Sequence, residues 1–177
     1  AIEELGEGEI EIFKSLVGDV LDFPIFNAPG NHDLGNRSLY IKNFGKTFFS
    51  FEYSSELFII LDTEINECQI EDKQREFLLN LLDTVNQSNN IKNIFILMHR
   101  ALWAVNNKPV NAINLWANGS VPEQCSSFEE FILPELINIS NNKPIYLMSG
   151  DIGCKNYTLG TIPVSFPLFY HKDLNHD

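Results

Sequence analysis

The chain has 177 residues and a formal net charge of -12, a size that fits one domain able to bury most of its apolar surface around a single core. The acidic excess argues against binding to a nucleic-acid backbone, because such proteins usually present a concentrated basic face. No apolar run in the sequence is long enough to span a membrane. We therefore expect a soluble protein, with the cytoplasm slightly favoured as its compartment.

The three cysteines, Cys68, Cys125 and Cys154, are widely spaced and odd in number. This pattern predicts neither a disulfide framework nor a cysteine-based zinc site. We interpret all three as ordinary thiols.

The first predicted element is an amphipathic helix that ends near Asp22, because apolar residues recur at helical spacing between acidic ones. These apolar residues are Ile10, Phe13, Val17, Val20 and Leu21. The next segment, Phe23 to Ala28, is mostly apolar and is closed by Pro29-Gly30, which predicts a buried strand that enters a tight turn. The residues after that turn should then lie at the carboxyl end of a strand.

The middle of the chain predicts a hairpin followed by a helix. Thr47 to Tyr53 is aromatic and partly alternating, Leu57 to Leu61 is nearly all apolar, and the polar residues between them indicate an antiparallel pair. From Glu71 to Val85 leucines recur with helical period, which predicts a second long helix.

Two further apolar runs, Ile94 to Met98 and Ile145 to Met148, predict buried strands. Between them, Ser127 and Glu130 have the spacing of a capping box for a helix that Pro134 would kink or shorten. Helices and strands thus alternate around one hairpin, which favours an α/β sandwich over an all-β or helical-bundle fold.

Polar residues follow the predicted strands at the points where these strands end. They are Asn31 and His32 after the first, His99 after the fourth and Asp151 after the fifth. In open α/β sheets, ligands bind in the crevice at the carboxyl ends of the strands. These residues are therefore the candidates for a shared site.

Asn31-His32-Asp33 places an amide oxygen, an imidazole and a carboxylate in three consecutive positions. The amide and the imidazole suit divalent metal ions, and a neighbouring carboxylate can fix the tautomer of a histidine. The alternative interpretation is a polar turn after a strand. His99, taken alone, also fits a buried and hydrogen-bonded core histidine.

Gly30-Asn31-His32-Asp33 resembles the Gly-Asn-His-Asp/Glu signature of the calcineurin-like metallophosphoesterases. The order and spacing of the following hairpin, of a helix opening near Gln74 and of a strand ending in His99 are also similar to that family, so that the resemblance runs from about Ile10 to Gly153. It implies a metallophosphoesterase-like α/β/β/α sandwich, with residues 1–177 forming a single domain that is incomplete at its N-terminus and lacks its first strands.

The resemblance also implies a function, namely metal-dependent hydrolysis of a phosphate ester at a site that holds two metal ions. Asn31 and His99 would be ligands of the second ion. His32 would lie near the leaving-group oxygen as general acid or electrostatic stabiliser, oriented by Asp33. Two cations lower the pKa of a bridging water and neutralise both oxygens of an in-line displacement at phosphorus.

Two residues near the predicted strand ends complete this expected site. Asp151 stands where the family has the first His of Gly-His-x-His, and its carboxylate favours manganese or magnesium, with zinc or iron as alternatives. Arg100 would contact the phosphate of the phosphorylated substrate, or else would pair with surface carboxylates. Trp103 and Trp116, in the segment after His99, would cap the substrate or cover the core.

The sequence also departs from the family pattern. The Asp-x-His and Gly-Asp-x-x-Asp/Asn motifs that hold the first metal are absent upstream of Gly30, and Gly153 cannot replace the second His of Gly-His-x-His. His171 and His176 match no expected spacing and fit a solvated tail. A non-catalytic binding or scaffold module with a degenerate metal site is therefore the second hypothesis. An unrelated α/β domain with a chance tetrad, in which His32 and His99 lie far apart, is the third.

Overall fold

The computed structural model of the protein describes residues 5–18, 20–104, 125–150, 153–159, 162–165 and 168–170. The strands are β1 (Phe49–Tyr53), β2 (Glu56–Ile60), β3 (Asn93–Met98), β4 (Ile145–Ser149), β5 (Gly153–Leu159), β6 (Ile162–Ser165) and β7 (Leu168–Tyr170). The α-helices are α1 (Glu7–Phe13), α2 (Asn31–Leu34), α3 (Arg37–Phe44), α4 (Asp72–Gln87) and α5 (Leu133–Ser140). The described residues also form two π-helical turns (Lys14–Gly18 and Phe128–Ile132) and two 3-10 turns (Asn66–Cys68 and Leu102–Ala104).

Five strands form one mixed sheet in the order β1-β2-β3-β4-β7, and β5 and β6 pair separately. Strands β2, β3 and β4 are parallel, whereas β1 and β7 are antiparallel to their neighbours and form the two edges. The α/β class predicted from the sequence is therefore confirmed. Because β2, β3 and β4 run the same way, their carboxyl ends lie on the same side of the sheet, and the residues that follow them meet there.

One face of this sheet and the helices share the hydrophobic core. Alternate strand residues, Leu57 and Ile59 on β2, Ile94 and Ile96 on β3 and Leu147 on β4, are almost fully buried. The same core cluster holds residues that recur at helical spacing on α4 and near α5: Leu78, Leu82, Val85, Phe128, Ile132, Leu136 and Ile139. Helical and strand periodicities therefore meet in a single apolar layer.

The alternate residues of the same strands form a row of stacked rings. Phe51, Phe58, Phe95 and Tyr146 lie at paired positions on β1 to β4, with successive ring centroids 4.9, 5.0 and 4.8 Å apart. All four residues are only half-buried. Aromatic pairs of this kind add about 0.5–1.5 kcal/mol each beyond area burial. A register slip of one residue would break the row and expose the core residues, so the row fixes the strand pairing.

The predicted middle elements are confirmed. β1 and β2 form the expected antiparallel hairpin, and Ser54 and Ser55 between them have φ values of 51° and 70°, as a two-residue hairpin turn of the primed type requires. Helix α4 and strands β3 and β4 lie where the hydrophobic periodicity placed them. No helix among the described residues is long and apolar enough to cross a membrane.

In the first thirty residues the predicted helix is present over residues 7–18, whereas its burial and the predicted strand are wrong. Helix α1 ends at Phe13 and passes into a π-helical turn, and its apolar face buries only Ile10 among the described residues. Residues 23–28, predicted as a buried strand, pair with none of the described strands, and Phe23 is 62% exposed. Pro24 removes one backbone donor from this segment and Pro29 follows it directly, which disfavours a ladder.

The cysteine prediction is also wrong, because Cys68 and Cys125 form a disulfide with Cα atoms 5.4 Å apart. The predicted capping box at Ser127 is replaced by contacts near this bond. The Ser127 hydroxyl accepts a hydrogen bond from the Ile70 backbone N–H at 2.7 Å, and the Ser127 N–H donates to Gln69 Oε1 at 3.0 Å. The chain after Ser127 begins as a π-helical turn, and α5 starts at Leu133 with Pro134 in its first turn. The helical run is thus continuous through Pro134 and changes from π to α winding at Leu133.

Candidate active site

The Gly-Asn-His-Asp segment forms the single helical turn α2 rather than an open loop. Asp33 Oδ2 accepts a hydrogen bond from the Gly30 backbone N–H at 2.8 Å, so this carboxylate satisfies one of the free donors at the helix start. The sequence assigned Asp33 to orienting His32, whereas here it shapes the turn. Asn31 is half-buried and His32 is exposed.

Asn31 and His99, which are 68 residues apart in the sequence, meet at this turn. His99 Nε2 lies 2.9 Å from Asn31 Oδ1. With the amide oxygen as acceptor, Nε2 carries the ring hydrogen and Nδ1 is the acceptor nitrogen. The two candidate ligands predicted from the sequence are therefore in direct contact. This contact also argues against the third hypothesis, because it brings the tetrad to the end of β3.

Gly30 is required by this contact rather than by its backbone angles. Its φ of -110° is open to any residue. A Cβ atom at position 30, however, would lie 2.7 Å from Cε1 and Nδ1 of His99 and 2.8 Å from its Cγ. The Gly30 backbone therefore lies against the imidazole face, and only glycine allows this close approach.

A third polar segment, Asp62-Thr63-Glu64, also lies at the carboxyl ends of the parallel strands. It was not identified from the sequence. It follows β2 as His99 and Arg100 follow β3. The Arg100 N–H donates to Thr63 Oγ1 at 3.2 Å. The sequence did contain a signal for this segment, because a polar run directly follows an apolar strand. The same pattern had identified His99.

Arg100 pairs with Glu64 through two contacts. Its Nε and Nη2 atoms donate to Oε1 and Oε2 of Glu64, each at 2.7 Å, and both side chains are mostly buried. Such a bidentate pair is rigid and charge-assisted. Of the two interpretations left open by the sequence, the geometry shows the pairing with a carboxylate, and a phosphate contact by the same donors would have to compete with Glu64.

Asp62 is fully buried and is held by three neighbours. Its carboxylate accepts from Arg37 Nη1 and, at 3.5 Å, from Arg37 Nη2, as well as from the Glu64 N–H at 2.9 Å. The Gln74 amide binds the Asp62 backbone on both sides, with Oε1 accepting from N–H at 2.8 Å and Nε2 donating to C=O at 3.0 Å. Gln74 therefore anchors the segment after β2 to the start of α4.

Tyr40 of α3 contacts the segment that leads into the Gly-Asn-His-Asp turn. Its hydroxyl donates to Asn27 Oδ1 at 2.7 Å. Burial, together with the negative charges of Asp33 and Asp62, raises the pKa of Tyr40 to about 12, although the hydrogen bond to Asn27 opposes this shift. The phenol therefore stays neutral at physiological pH and serves as a fixed donor.

The Asn31 and His99 pair has the spacing for one divalent ion, and its chemistry fits once the ring hydrogen has moved from Nε2 to Nδ1, since only an unprotonated nitrogen binds a metal. Two ligands of an octahedral ion, each bound at about 2.1 Å, lie roughly 3.0 Å apart, close to the 2.9 Å between Asn31 Oδ1 and His99 Nε2. Within the described ranges, no group of three or more His, Cys, Asp or Glu side chains could hold a metal ion. The pair is therefore a partial ligand set.

Several predicted residues lie outside the described part of the chain. They are Asp151, predicted as a metal ligand, the tail histidines His171 and His176, and Trp116. Trp103 is described and is only 2% exposed, so of its two interpretations it covers the core. No protein-family model, curated protein or solved structure matches the chain.

Proposed function

We propose that this chain belongs to a metal-dependent phosphoesterase of the calcineurin-like type, that its fold is the corresponding α/β/β/α sandwich, and that it supplies part of a site holding two metal ions. The observation that carries the proposal is the 2.9 Å contact between Asn31 Oδ1 and His99 Nε2. It joins the Gly-Asn-His-Asp turn to the end of a parallel strand, where α/β folds bind ligands.

In this proposal Asn31 and His99 hold one ion, and Asp151 is a third ligand by resemblance. Manganese or magnesium suits the oxygen donors, with zinc or iron as alternatives. When bound, the ions supply a water of lowered pKa and neutralise charge on the phosphate oxygens. The protein contributes a turn held in shape by Asp33 and an imidazole held against Gly30.

His32 is the proposed general acid. It follows the ligand Asn31 directly and is exposed, so its imidazole is free to approach the leaving-group oxygen of a bound ester. Histidine is the side chain most often used for proton transfer in catalysis. Arg100, the residue after His99, is held in place by its pair with Glu64. In this proposal it contacts the substrate only if a phosphate displaces the Glu64 carboxylate.

The test uses the protein made from the complete open reading frame that encodes this chain. An aryl phosphate should be hydrolysed with manganese present, and Asn31→Ala and His32→Ala should each lower the rate at least 100-fold. Asn89→Ala, a change at an exposed loop asparagine, is the matched control and should keep full activity. Wild-type activity no higher than that of the Asn31→Ala and His32→Ala proteins would refute the proposal.

A non-catalytic module is the second candidate, favoured by the partial ligand set within the described residues. Calorimetric titration with manganese and with zinc separates the two candidates. Two ions bound tightly per chain support the enzyme. Failure to bind either metal, in a protein shown to be folded, supports the binding or scaffold module.

The compartment expected from the sequence also changes. Because the Cys68–Cys125 pair is oxidised and disulfides persist mainly in oxidising compartments, we propose that the chain folds outside the reducing cytosol. Alkylation of free thiols in protein taken from its source, followed by mass spectrometry, tests this. Cys68 and Cys125 should resist alkylation until a reductant is added, and alkylation of both without reductant would contradict the proposal.

A further inference from the structure

The peptide group that joins His99 to Arg100 is held by two buried hydroxyls that no role assigned so far explains. The Ser149 hydroxyl, at the end of β4, donates a hydrogen bond to the His99 carbonyl oxygen. The Thr63 hydroxyl, after β2, accepts from the N–H of Arg100, the next residue. One side chain at or just after the end of each strand that flanks β3 therefore binds the single peptide group between His99 and Arg100.

Both hydroxyl groups are in positions where they cannot exchange these partners for water. Ser149 is 3% exposed and Thr63 is fully buried. Thr63 uses its hydrogen to donate to Glu64 Oε1 at 3.1 Å, so its oxygen is left to accept from the Arg100 N–H. Because unpaired buried polar groups are costly, this arrangement favours a single backbone conformation at the end of β3.

The motion of the His99 imidazole is also limited on one side, because the Gly30 backbone lies against the ring there. The fixed peptide sets the position of the side chain, and the contact with Gly30 limits how far the ring can turn toward that side. A shift of this peptide would move Nε2 relative to Asn31 Oδ1. A ring held this way meets its partner without a metal ion to draw the two together.

We propose that Ser149 and Thr63 are positioning residues that aim His99 Nε2 at Asn31 and so preorganise the ligand pair; as a statement about metal binding this rests on the proposed function. Partners that orient metal ligands typically change metal affinity about 10- to 100-fold when they are removed. A role confined to stability would lower the melting temperature and leave the ring direction in the folded protein unchanged.

The test compares removal of each hydroxyl with its conservative replacement. Thr63→Val removes the hydroxyl at nearly constant shape and Thr63→Ser keeps it, whereas Ser149→Ala and Ser149→Thr form the second matched pair. The first measurement is the ring nitrogen spectrum of His99 in metal-free protein, assigned with His99→Gln. The second is the affinity for Mn²⁺, measured by calorimetry on variants shown to be folded.

Wild type, Thr63→Ser and Ser149→Thr should show the tautomer with hydrogen on Nε2, and Thr63→Val and Ser149→Ala should show a mixture. The latter two should also bind Mn²⁺ about 10- to 100-fold more weakly. Unchanged ring spectra in both Thr63→Val and Ser149→Ala would overturn the inference. If one of these does not fold, the other decides. If wild type binds no Mn²⁺ but the ring spectra change as expected, positioning by these hydroxyls stands and the proposed function fails.

Discussion

Replacing Gly30 with alanine tests the contact on which the site depends. The new Cβ would lie 2.7 Å from two atoms of the His99 ring and 2.8 Å from a third, whereas carbon atoms in favourable contact are about 3.5 Å apart or more. The ring would therefore have to retreat by roughly 0.8 Å. A retreat of this size away from the turn stretches the 2.9 Å contact with Asn31 beyond hydrogen-bonding length.

The expected cost has two parts. Overpacking costs about 1–3 kcal/mol, and alanine returns about 0.4–1 kcal/mol by restricting the unfolded chain, since φ at position 30 is compatible with alanine. The variant should lose roughly 0.5–2 kcal/mol in urea unfolding. Its manganese-dependent hydrolysis should fall about 100-fold, because a displacement near 1 Å has that effect in a preorganised site.

Gly150→Ala and Gly8→Ala are the controls, because a Cβ at either position would meet nothing within 4 Å. Gly150 directly follows β4, whose end lies beside the end of β3. Neither control should lose stability or activity. The reasoning would be refuted if Gly30→Ala unfolded at the same urea concentration as Gly150→Ala and kept the wild-type ring spectrum of His99.

Three further predictions concern the support of the site. Tyr40→Phe should cost about 0.5–1.5 kcal/mol at pH 7, because Asn27 loses its donor. The pKa of Tyr40 is raised to about 12 from 10.0, so the unfolded state loses this proton at a lower pH than the folded state does. The difference in unfolding free energy between wild type and Tyr40→Phe should therefore shrink by about 1–2 kcal/mol as the pH rises from 10 to 12. Reduction of the Cys68–Cys125 bond, which closes a separation of 57 residues, should cost about 4 kcal/mol in urea unfolding. Gln74→Leu should cost roughly 2–4 kcal/mol, since it leaves the buried N–H and C=O of Asp62 unpaired.

Each of these predictions has a result that would contradict it. A constant difference between wild type and Tyr40→Phe from pH 10 to 12 would remove the argument for a raised pKa. A reductant should leave the Cys68→Ser/Cys125→Ser double variant unchanged, and an equal loss there would show that the disulfide is not its target. Gln87→Leu, at the exposed end of the same helix, should change stability by less than about 0.5 kcal/mol; an equal loss in both glutamine variants would contradict the role of Gln74.

The sequence predicted those parts of the fold whose periodicity comes from burial on one face. Helix α4 and strands β2 to β4 pack against one core, so their buried residues recur with the period of the element. Residues 10–28 carry similar apolar residues, yet most of these are exposed, as Val20 is at 69%. Apolar spacing alone could not reveal this, because it does not show whether another layer covers the segment.

The site was predictable where chemistry and strand ends coincided. Asn31 and His99 were identified from this combination, and the structure brings them together. Asp62 and Glu64 follow an apolar strand in the same way and could have been identified, but their pairing with Arg37 and Arg100, far away in the sequence, could not. The disulfide was missed for the same reason, since pairing across 57 residues depends on the fold and cannot be read from cysteine spacing.

The separation between Asn31 and His99 has a consequence for biosynthesis. The ribosome adds about 5–20 residues per second, so the 68 residues between them take roughly 3 to 14 seconds to make. During this interval the Gly-Asn-His-Asp segment has no imidazole partner, and β3 must still join β2 through a parallel crossover that contains α4. Under the proposed function, an ion held by this pair would therefore be acquired only after β3 has been made and placed beside β2.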